Sequence, residues 1–288
     1  MKLVITGAAG QLGRSTAALV LERVAPADVI LVTRNPAALA DLADRGAVVR
    51  AGDFDEPGGL AAAFAGGERM LLISTDAVGR RVAQHQNAIE AAREAGVTHI
   101  AYTSITNPIA ENPAAVVPDH AGTERVLAQS GLDWTYLRNG LYSEYRIPEA
   151  QGATQSGQLF HNQGDGVTAY VSREDCAAAA AAVLAGGPEH AGRAYDITGP
   201  ELLGAADLAA LYSRLGDSAV SAVDVGDGGL IDGMVQVGLP AEVAELLASF
   251  GRAIRGGYLS QLSGDVRALT GRDPAPVRTV LEAGMAAS

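Results

Sequence analysis

Gly7, Gly10 and Gly13 recur at every third position, directly after the apolar run Leu3 to Thr6 and at the start of a helix-forming stretch from Leu12 to Val24. Strand, glycine turn and helix in that order are suited to holding a diphosphate. Gly7 permits a tight turn, Gly10 lets backbone come close to an anion, and Gly13 lets the helix settle on the strand. The turn and first helical residues, Ala9, Gln11 and Leu12 with the glycines, then surround the anion, and the helix N-terminus offers free N–H groups. The chain has 35 glycines, so the spacing carries weight only through its context. A second strand, Val29 to Thr33, follows at the distance a βαβ unit requires. An NAD site would end that strand in Asp or Glu to bind the ribose hydroxyls, whereas here it ends in Thr33, Arg34 and Asn35. Arg34 suits a 2′-phosphate, which makes the expected cofactor NADPH. The alternative is a glycine-rich loop with a surface arginine.

Sites on parallel sheets gather at the carboxyl ends of the strands, which directs attention to four further places. Asp53 and Phe54 follow the third strand, where they can meet an adenine; Asp53 can also cap the next helix. Ser74 and Thr75 follow the fourth, as lining for the nicotinamide ribose or as helix caps. Tyr102, Thr103 and Ser104 end the fifth, at the position of the catalytic hydroxyl in ordinary short-chain dehydrogenases. Asn139, Gly140 and Tyr142 follow the sixth, and offer a group that both donates and accepts, a close backbone approach and a phenol. The helix between the fifth and sixth strands carries His120 and Glu124 four residues apart, where Tyr and Lys would be expected. They can face a cleft or form a solvated surface pair. Lys2 is the only lysine, so there is none for a Tyr-x-x-x-Lys pair, a Schiff base or a phosphate loop. The candidate catalytic residues are therefore Tyr142, Asn139 and His120.

The elements that must position these residues alternate as strand and helix up to about residue 138, the pattern of an α/β doubly wound parallel sheet of Rossmann type. Helices are expected over Pro36–Arg45, Pro57–Phe64, Ala77–Ala95 and Asp119–Gln129, and strands over Ala47–Ala51, Arg69–Ile73, His99–Thr103 and Trp134–Leu137. Beyond Arg138 the regularity fails. Gly152–Gly166 reads as loop with a short strand near Gln158–Phe160, followed by a strand at Val167–Val171, a helix at Arg173–Leu184 capped by Ser172, and a strand at Ala194–Thr198. Helices at Ala205–Leu215, Pro240–Ala253 and Pro276–Ala286 complete the chain, separated by glycine-rich turns. The expected organisation is an NADP-binding domain over 1–138 and a smaller substrate lobe over 139–288 that partly returns to the main sheet and walls the cleft.

The 288 residues can bury a sizeable core. A net charge of −12 argues against nucleic-acid or anionic-membrane surfaces. The single cysteine, Cys176, leaves no disulfide or cysteine metal site and reads as a small buried hydrophobe. No apolar run approaches the length of a membrane span, so a cytoplasmic protein is expected, as monomer or homodimer.

The segments Ile5–Gly13, Val32–Pro36, Leu71–Ser74, Ala101–Ser104, Asp119–Glu124 and Leu137–Glu144 resemble the NmrA-like atypical short-chain dehydrogenase/reductase family, and within it the bacterial NADPH-dependent quinone oxidoreductases and triphenylmethane dye reductases. Thr270–Pro276 is similar to the tail of that family. The resemblance implies an NADPH-binding domain, a small substrate lobe and two-electron reduction of a quinone. The usual Glu-Lys pair is replaced by Glu124-Arg125. Reduction of a quinone gives an aromatic hydroquinone and needs less proton assistance than reduction of a ketone, which fits the missing Tyr/Lys relay. The expected mechanism is direct hydride transfer, with Tyr142, Asn139 or His120 steadying the oxyanion. Dyes, enones or ketones are alternative acceptors, and a non-catalytic NADP-sensing protein is the alternative from another class.

Overall fold

Strand runs with no polar alternation are buried on both faces, which demands helices above and below the sheet. A computed structural model describes residues 1–286. Its strands are β1 (Leu3–Ile5), β2 (Val29–Thr33), β3 (Val48–Ala51), β4 (Arg69–Leu72), β5 (His99–Ile105), β6 (Asp133–Asn139), β7 (Gln158–His161), β8 (Arg193–Ile197) and β9 (Ser221–Asp224). Its helices are α1 (Gln11–Val20), α2 (Ala40–Asp44), α3 (Leu60–Phe64), α4 (Arg81–Glu94), α5 (Val117–Ala128), α6 (Arg146–Ser156), α7 (Arg173–Ala185), α8 (Ala205–Gly216), α9 (Gly226–Gln236), α10 (Ala241–Arg255), α11 (Asp265–Thr270) and α12 (Val277–Ala286).

Seven parallel strands form the main sheet in the order β3-β2-β1-β4-β5-β6-β8. Alternate residues feed two cores. Leu3, Ile5, Leu31, Leu71, Ala101 and Leu137 pack with residues of α1 and α7. Val4, Ile30, Val32, Met70, Leu72, Ile100 and Tyr102 pack with α3 and α4 on the opposite face. Ala177, Ala179, Ala180 and Ala181 are buried in the first core, and their small side chains let α7 lie close against α1. Truncating a core residue such as Leu71 to alanine costs about 2–5 kcal/mol, because the close-packed layer only partly refills the cavity.

The order of the strands fixes where a ligand goes. From β1 the chain builds outward to β2 and β3, then crosses to β4 on the other side of β1. The crevice at this reversal opens at the carboxyl ends of β1 and β4, between the glycine turn and Ser74. β8 returns from the second half of the chain to extend the sheet beside β6. α7 and Val266 of α11 also pack in the first core, while β7, β9 and helices such as α6, α8 and α12 build a lobe with Tyr170, Leu208, Tyr212 and Leu281 in its core. Ile254 and Leu259, at and just beyond the end of α10, pack with Ile105 and Val117 and so bring this part of the lobe over the end of β5.

Several expected elements shift. α4 begins at Arg81 and not at Ala77, because Gly79 takes φ +82° and its N–H is held by the Asp119 carboxylate at 2.6 Å. The stretch from Gly152, expected as loop, is helical to Ser156; α6 is stabilised by Arg146 pairing with Glu149 at 2.6 Å and by Ala150 and Ala153 in the lobe core. Val167–Val171 is no strand. It makes two isolated bridges, Tyr142 with Val171 and Thr168 with Leu203. The glycine-rich segment from Gly226 forms α9, where only turn was expected. Ser172 caps α7 as expected, with its hydroxyl accepting from the Asp175 N–H at 2.9 Å. Among the described residues no helix is long and apolar enough to cross a membrane, and no group of three or more His, Cys, Asp or Glu is arranged to hold a metal ion.

Candidate active site

The glycine turn is built by steric necessity. Gly7 has φ +60°, and its carbonyl accepts from the Gly10 N–H at 2.9 Å. A Cβ at Gly13 would lie 2.3 Å from the Gly7 oxygen and 2.8 Å from Ala8 Cα, so only glycine lets α1 start this close to the turn. No side chain caps α1 at Gly10, and its first amides are left for a ligand. Gly10, Gln11, Leu12 and Gly13 line a cavity, while Ala9 packs against the core on α1's side of the sheet.

Three adjoining cavities form one groove across the strand ends. The first, about 560 Å³, is lined by Arg34, Gly52, Asp53 and the Pro57–Gly59 turn. The second, about 300 Å³, shares Arg34 and Gly52 and adds Gly7, Gly10, Phe54, Ser74 and Thr75. The third, about 510 Å³, shares Gly7, Gly10, Ser74 and Thr75 and runs on to Ser104, His120, Asn139 and Tyr142. Arg34 is exposed and, among the described residues, has no ion-pair partner, so its charge is available to a ligand. Asp53 accepts the Asp55 N–H at 3.0 Å and so orders its own turn; the short helical turn beginning at Pro57 has no side-chain cap.

Ser74 and Thr75 lie five or more residues ahead of α4 and do not cap it. The Ser74 N–H donates to Thr103 Oγ1 at 2.8 Å, and the Thr75 N–H to His85 Nε2 at 3.1 Å. Thr103 is thus a bracket for the β4 loop, and it does not line the groove. Tyr102 is fully buried in the core facing α4, with its ring edge-on to His85 at 5.4 Å, and it too lies off the groove. Burial pushes the Tyr102 phenol above its ordinary pKa.

At the nicotinamide end expected from the sequence, Asn139 Nδ2 donates to the Tyr142 hydroxyl at 3.2 Å. Burial pushes the Tyr142 phenol well above the usual range, so it stays protonated. Asn139 Oδ1 and Ser104 Oγ are buried without hydrogen-bond partners in the protein, and both residues line this cavity. Buried polar atoms of this kind are costly unless a ligand or water satisfies them. Gly140 is needed here, because a Cβ would meet the Ala169 carbonyl at 2.9 Å.

His120 reaches the cavity wall, but both ring nitrogens are engaged. Arg81 Nη1 lies 3.1 Å from Nε2, and the Tyr102 hydroxyl 2.9 Å from Nδ1. A guanidinium can only donate, so Nε2 is the acceptor and carries no proton. Burial and then the Arg81 charge lower the His120 pKa to about 3, and the neutral ring keeps its proton on Nδ1. His120 and Glu124 do not pair with each other. Glu124 takes a bidentate contact from Arg138, at 3.0 Å from Nε and 2.7 Å from Nη2. His120 and Glu124 are also 6% and 8% exposed, so the solvated-surface alternative does not hold either.

A family described as NAD(P)H-binding matches residues 7–186. The chain belongs to it. The match runs from the glycine turn through β6 and α7 to Gly186. Quinone oxidoreductase 2 of Escherichia coli is 37% identical over 246 residues, covering 85% of each chain. The crystal structure of NADPH-dependent quinone oxidoreductase from Escherichia coli complexed with NADPH superposes with a TM-score of 0.94 at 34% identity, covering 98% of this chain and 99% of that one. Triphenylmethane reductase from Citrobacter sp. superposes at 0.92 and 31% identity, covering 99% and 100%. The NmrA-like assignment, the Rossmann-type fold and an oxidoreductase that binds NAD(P)H agree with the groove described above.

Lining residues that the sequence reading did not single out include Arg81, Tyr145, Arg173 and Phe250. The Arg173 guanidinium stacks over the Tyr142 and Tyr145 rings at 5.3 and 5.1 Å. Arg81 left no signal in the sequence, because only the observed start of α4 puts this cation in a helix's first turn, where the dipole disfavours it. Phe250 left none, since only the tertiary return of α10 brings it to the groove.

Proposed function

We propose that the chain is an NADPH-dependent reductase that transfers two electrons to a quinone-type acceptor. The observation carrying this reading is the pair of buried, unpartnered atoms Asn139 Oδ1 and Ser104 Oγ on the wall shared with Tyr142. Asn139 Oδ1 can accept from, and the Ser104 hydroxyl donate to, a carboxamide at the far end of a groove that begins at Arg34. The groove fits a dinucleotide at each part. Arg34 suits the 2′-phosphate, Asp53 and Phe54 the adenine, and the Gly7–Gly13 turn with the α1 amides the diphosphate.

NADPH bound there supplies the hydride. The protein's part is positioning and electrostatics. Asn139 orients the Tyr142 hydroxyl, which stays protonated and can donate to an oxygen that becomes negative. Arg173 holds the Tyr142 and Tyr145 rings from one side, and Phe250 contributes an apolar surface against which a flat ring can lie. No lysine lies near, because Lys2 precedes β1 at the end of the strand opposite the glycine turn. The hydroquinone takes its proton from water.

Structural likeness to a triphenylmethane reductase supports a dye as the second acceptor class. The deciding experiment measures NADPH and NADH oxidation against benzoquinones, naphthoquinones, cationic dyes and activated carbonyls. NADPH-dependent quinone turnover is the expected result. Tight NADP⁺ binding with no turnover of any acceptor would replace the reading with a dinucleotide sensor.

A further inference from the structure

Arg81 is the feature of the cavity that the mechanism above leaves unused. It stands at the first position of α4, half-buried, and lines the same cavity as Asn139 and Tyr142. Its only hydrogen-bonding neighbour among the described residues is neutral, the acceptor nitrogen of His120 at 3.1 Å. Its Nε is buried with no partner, and it forms no ion pair. The other charged groups on this wall are Asp76, which makes no ion pair with Arg81, and Arg173, whose face is taken by two tyrosine rings. A chain of net charge −12 thus lines this cavity with two arginines and one carboxylate. At a helix N-terminus a cation also opposes the helix dipole, so helix stability does not account for it.

We infer that Arg81, held in place by the His120–Tyr102 pair, is the cation that stabilises the oxyanion of the reduced acceptor, and that it makes the site select neutral or anionic acceptors over cationic ones. The inference rests on the reductase reading above. Hydride addition to a quinone converts a neutral molecule into a hydroquinone monoanion, which then takes one proton from water while the cofactor becomes NADP⁺. A fixed guanidinium favours that anion over the neutral quinone, and so lowers the barrier instead of merely tightening binding. A cationic dye loses its charge on reduction and gains nothing from the same group. His120 is a positioning residue. Its Nε2 accepts from Arg81, and the bond of its Nδ1–H to the buried Tyr102 hydroxyl fixes the ring.

The test compares wild type with Arg81→Met and Arg81→Lys, using 1,4-benzoquinone, a naphthoquinone sulfonate and a cationic triphenylmethane dye as acceptors. NADPH dissociation constants are measured by fluorescence, and thermal unfolding reports on folding. Arg81→Met is expected to lower kcat/KM on both quinones by roughly 10- to 100-fold, mostly through kcat on the benzoquinone. Arg81→Lys should restore part of the loss. Dye turnover should hold or rise, and the NADPH dissociation constant should stay within about twofold. His120→Gln, which keeps an acceptor for Arg81, should retain more quinone activity than His120→Leu. Equal losses on quinones and dye, or an NADPH dissociation constant raised tenfold or more, would overturn the inference by making Arg81 a structural or cofactor-binding group. A wild type inactive on every quinone would sink the reductase reading itself, whereas an active wild type with an unaffected Arg81→Met variant would sink only this inference.

Discussion

Asn139 donates to the Tyr142 hydroxyl through Nδ2 and leaves its other side-chain atom, Oδ1, buried and unpartnered on the cavity wall. The two ends of one amide thus differ: one meets a phenol of the protein and the other is left open on the cavity wall. Tyr142→Phe removes only the donor at the reacting oxygen. Turnover on benzoquinone should fall roughly tenfold with NADPH affinity unchanged. Asn139→Ala removes both functions, and should lower turnover at least as far while weakening NADPH by a few-fold without abolishing binding. Steady-state kinetics with a separate NADPH titration distinguish the two; identical profiles would remove the double role of Asn139.

In the proposed reading, Arg34 is where the choice between NADPH and NADH would be made. It lines two of the three cavities of the groove and has no carboxylate partner among the described residues. A charge-assisted contact to phosphate is worth about 1.5–3 kcal/mol, so Arg34→Ala should weaken NADPH by roughly 10- to 100-fold and leave NADH nearly unchanged. Calorimetry with NADP⁺ and NAD⁺ at two salt concentrations checks this. The wild-type preference should shrink as salt rises, because the contact is exposed and screened.

The glycine turn and Arg34 that line the groove were legible in the sequence, and the far end of the groove only in part, for a physical reason. Gly7, Gly10, Gly13 and Arg34 act through local backbone geometry and strand position, both written in short segments. Asn139 and Tyr142 were reachable because they lie at or just beyond the carboxyl end of a strand, where sites on parallel sheets gather. Tyr102 and Thr103 were expected to end the neighbouring strand, but β5 runs on to Ile105, pleating turns Tyr102 into the core, and the Ser74 amide occupies the Thr103 hydroxyl. His120 and Glu124 looked like a pair at helical spacing. Their partners, Arg81 and Arg138, come from other elements, and no local pattern announces them. The lobe was hardest to read. α6 contains Pro148 and Gly152, α9 contains four glycines, and tertiary contacts override their weak helix propensity.

The histidines next to the site give the protein a pH signature in stability and none in catalysis. Burial first, and the Arg81 charge second, lower His85 and His120 to about 3. Their folded pKa values lie below the unfolded value near 6.5, so the unfolded chain binds more protons as pH falls. Stability from the neutral rings is complete above about pH 6.5 and is lost progressively as pH drops toward 3. Between pH 7 and pH 5 the unfolding free energy should fall by up to about 2 kcal/mol per ring. Denaturant melts across that range measure it. The kcat/KM profile for quinone should show no ionisation near 6.5, and a bell with a limb there would contradict a neutral His120.

Gly13 tests whether the turn is essential for steric reasons or merely permissive. A methyl group at this position would sit 2.3 Å from the Gly7 carbonyl oxygen and 2.8 Å from Ala8 Cα, both backbone atoms that cannot rotate away. To make room, α1 must move off the turn, carrying with it the amides that would face a diphosphate and the packing of α1 on α7. Gly13→Ala should therefore destabilise the fold by about 1–3 kcal/mol and weaken NADPH by more than tenfold. Gly58→Ala is the matching control. It lies in the lining of the same groove, but a Cβ there meets nothing within 4 Å, so it should change neither quantity appreciably. Thermal unfolding with and without NADPH reads both effects at once, because ligand stabilisation scales with affinity. A Gly13→Ala protein that still gains the wild-type increment in Tm on adding NADPH would mean that α1 can shift without losing its anion site.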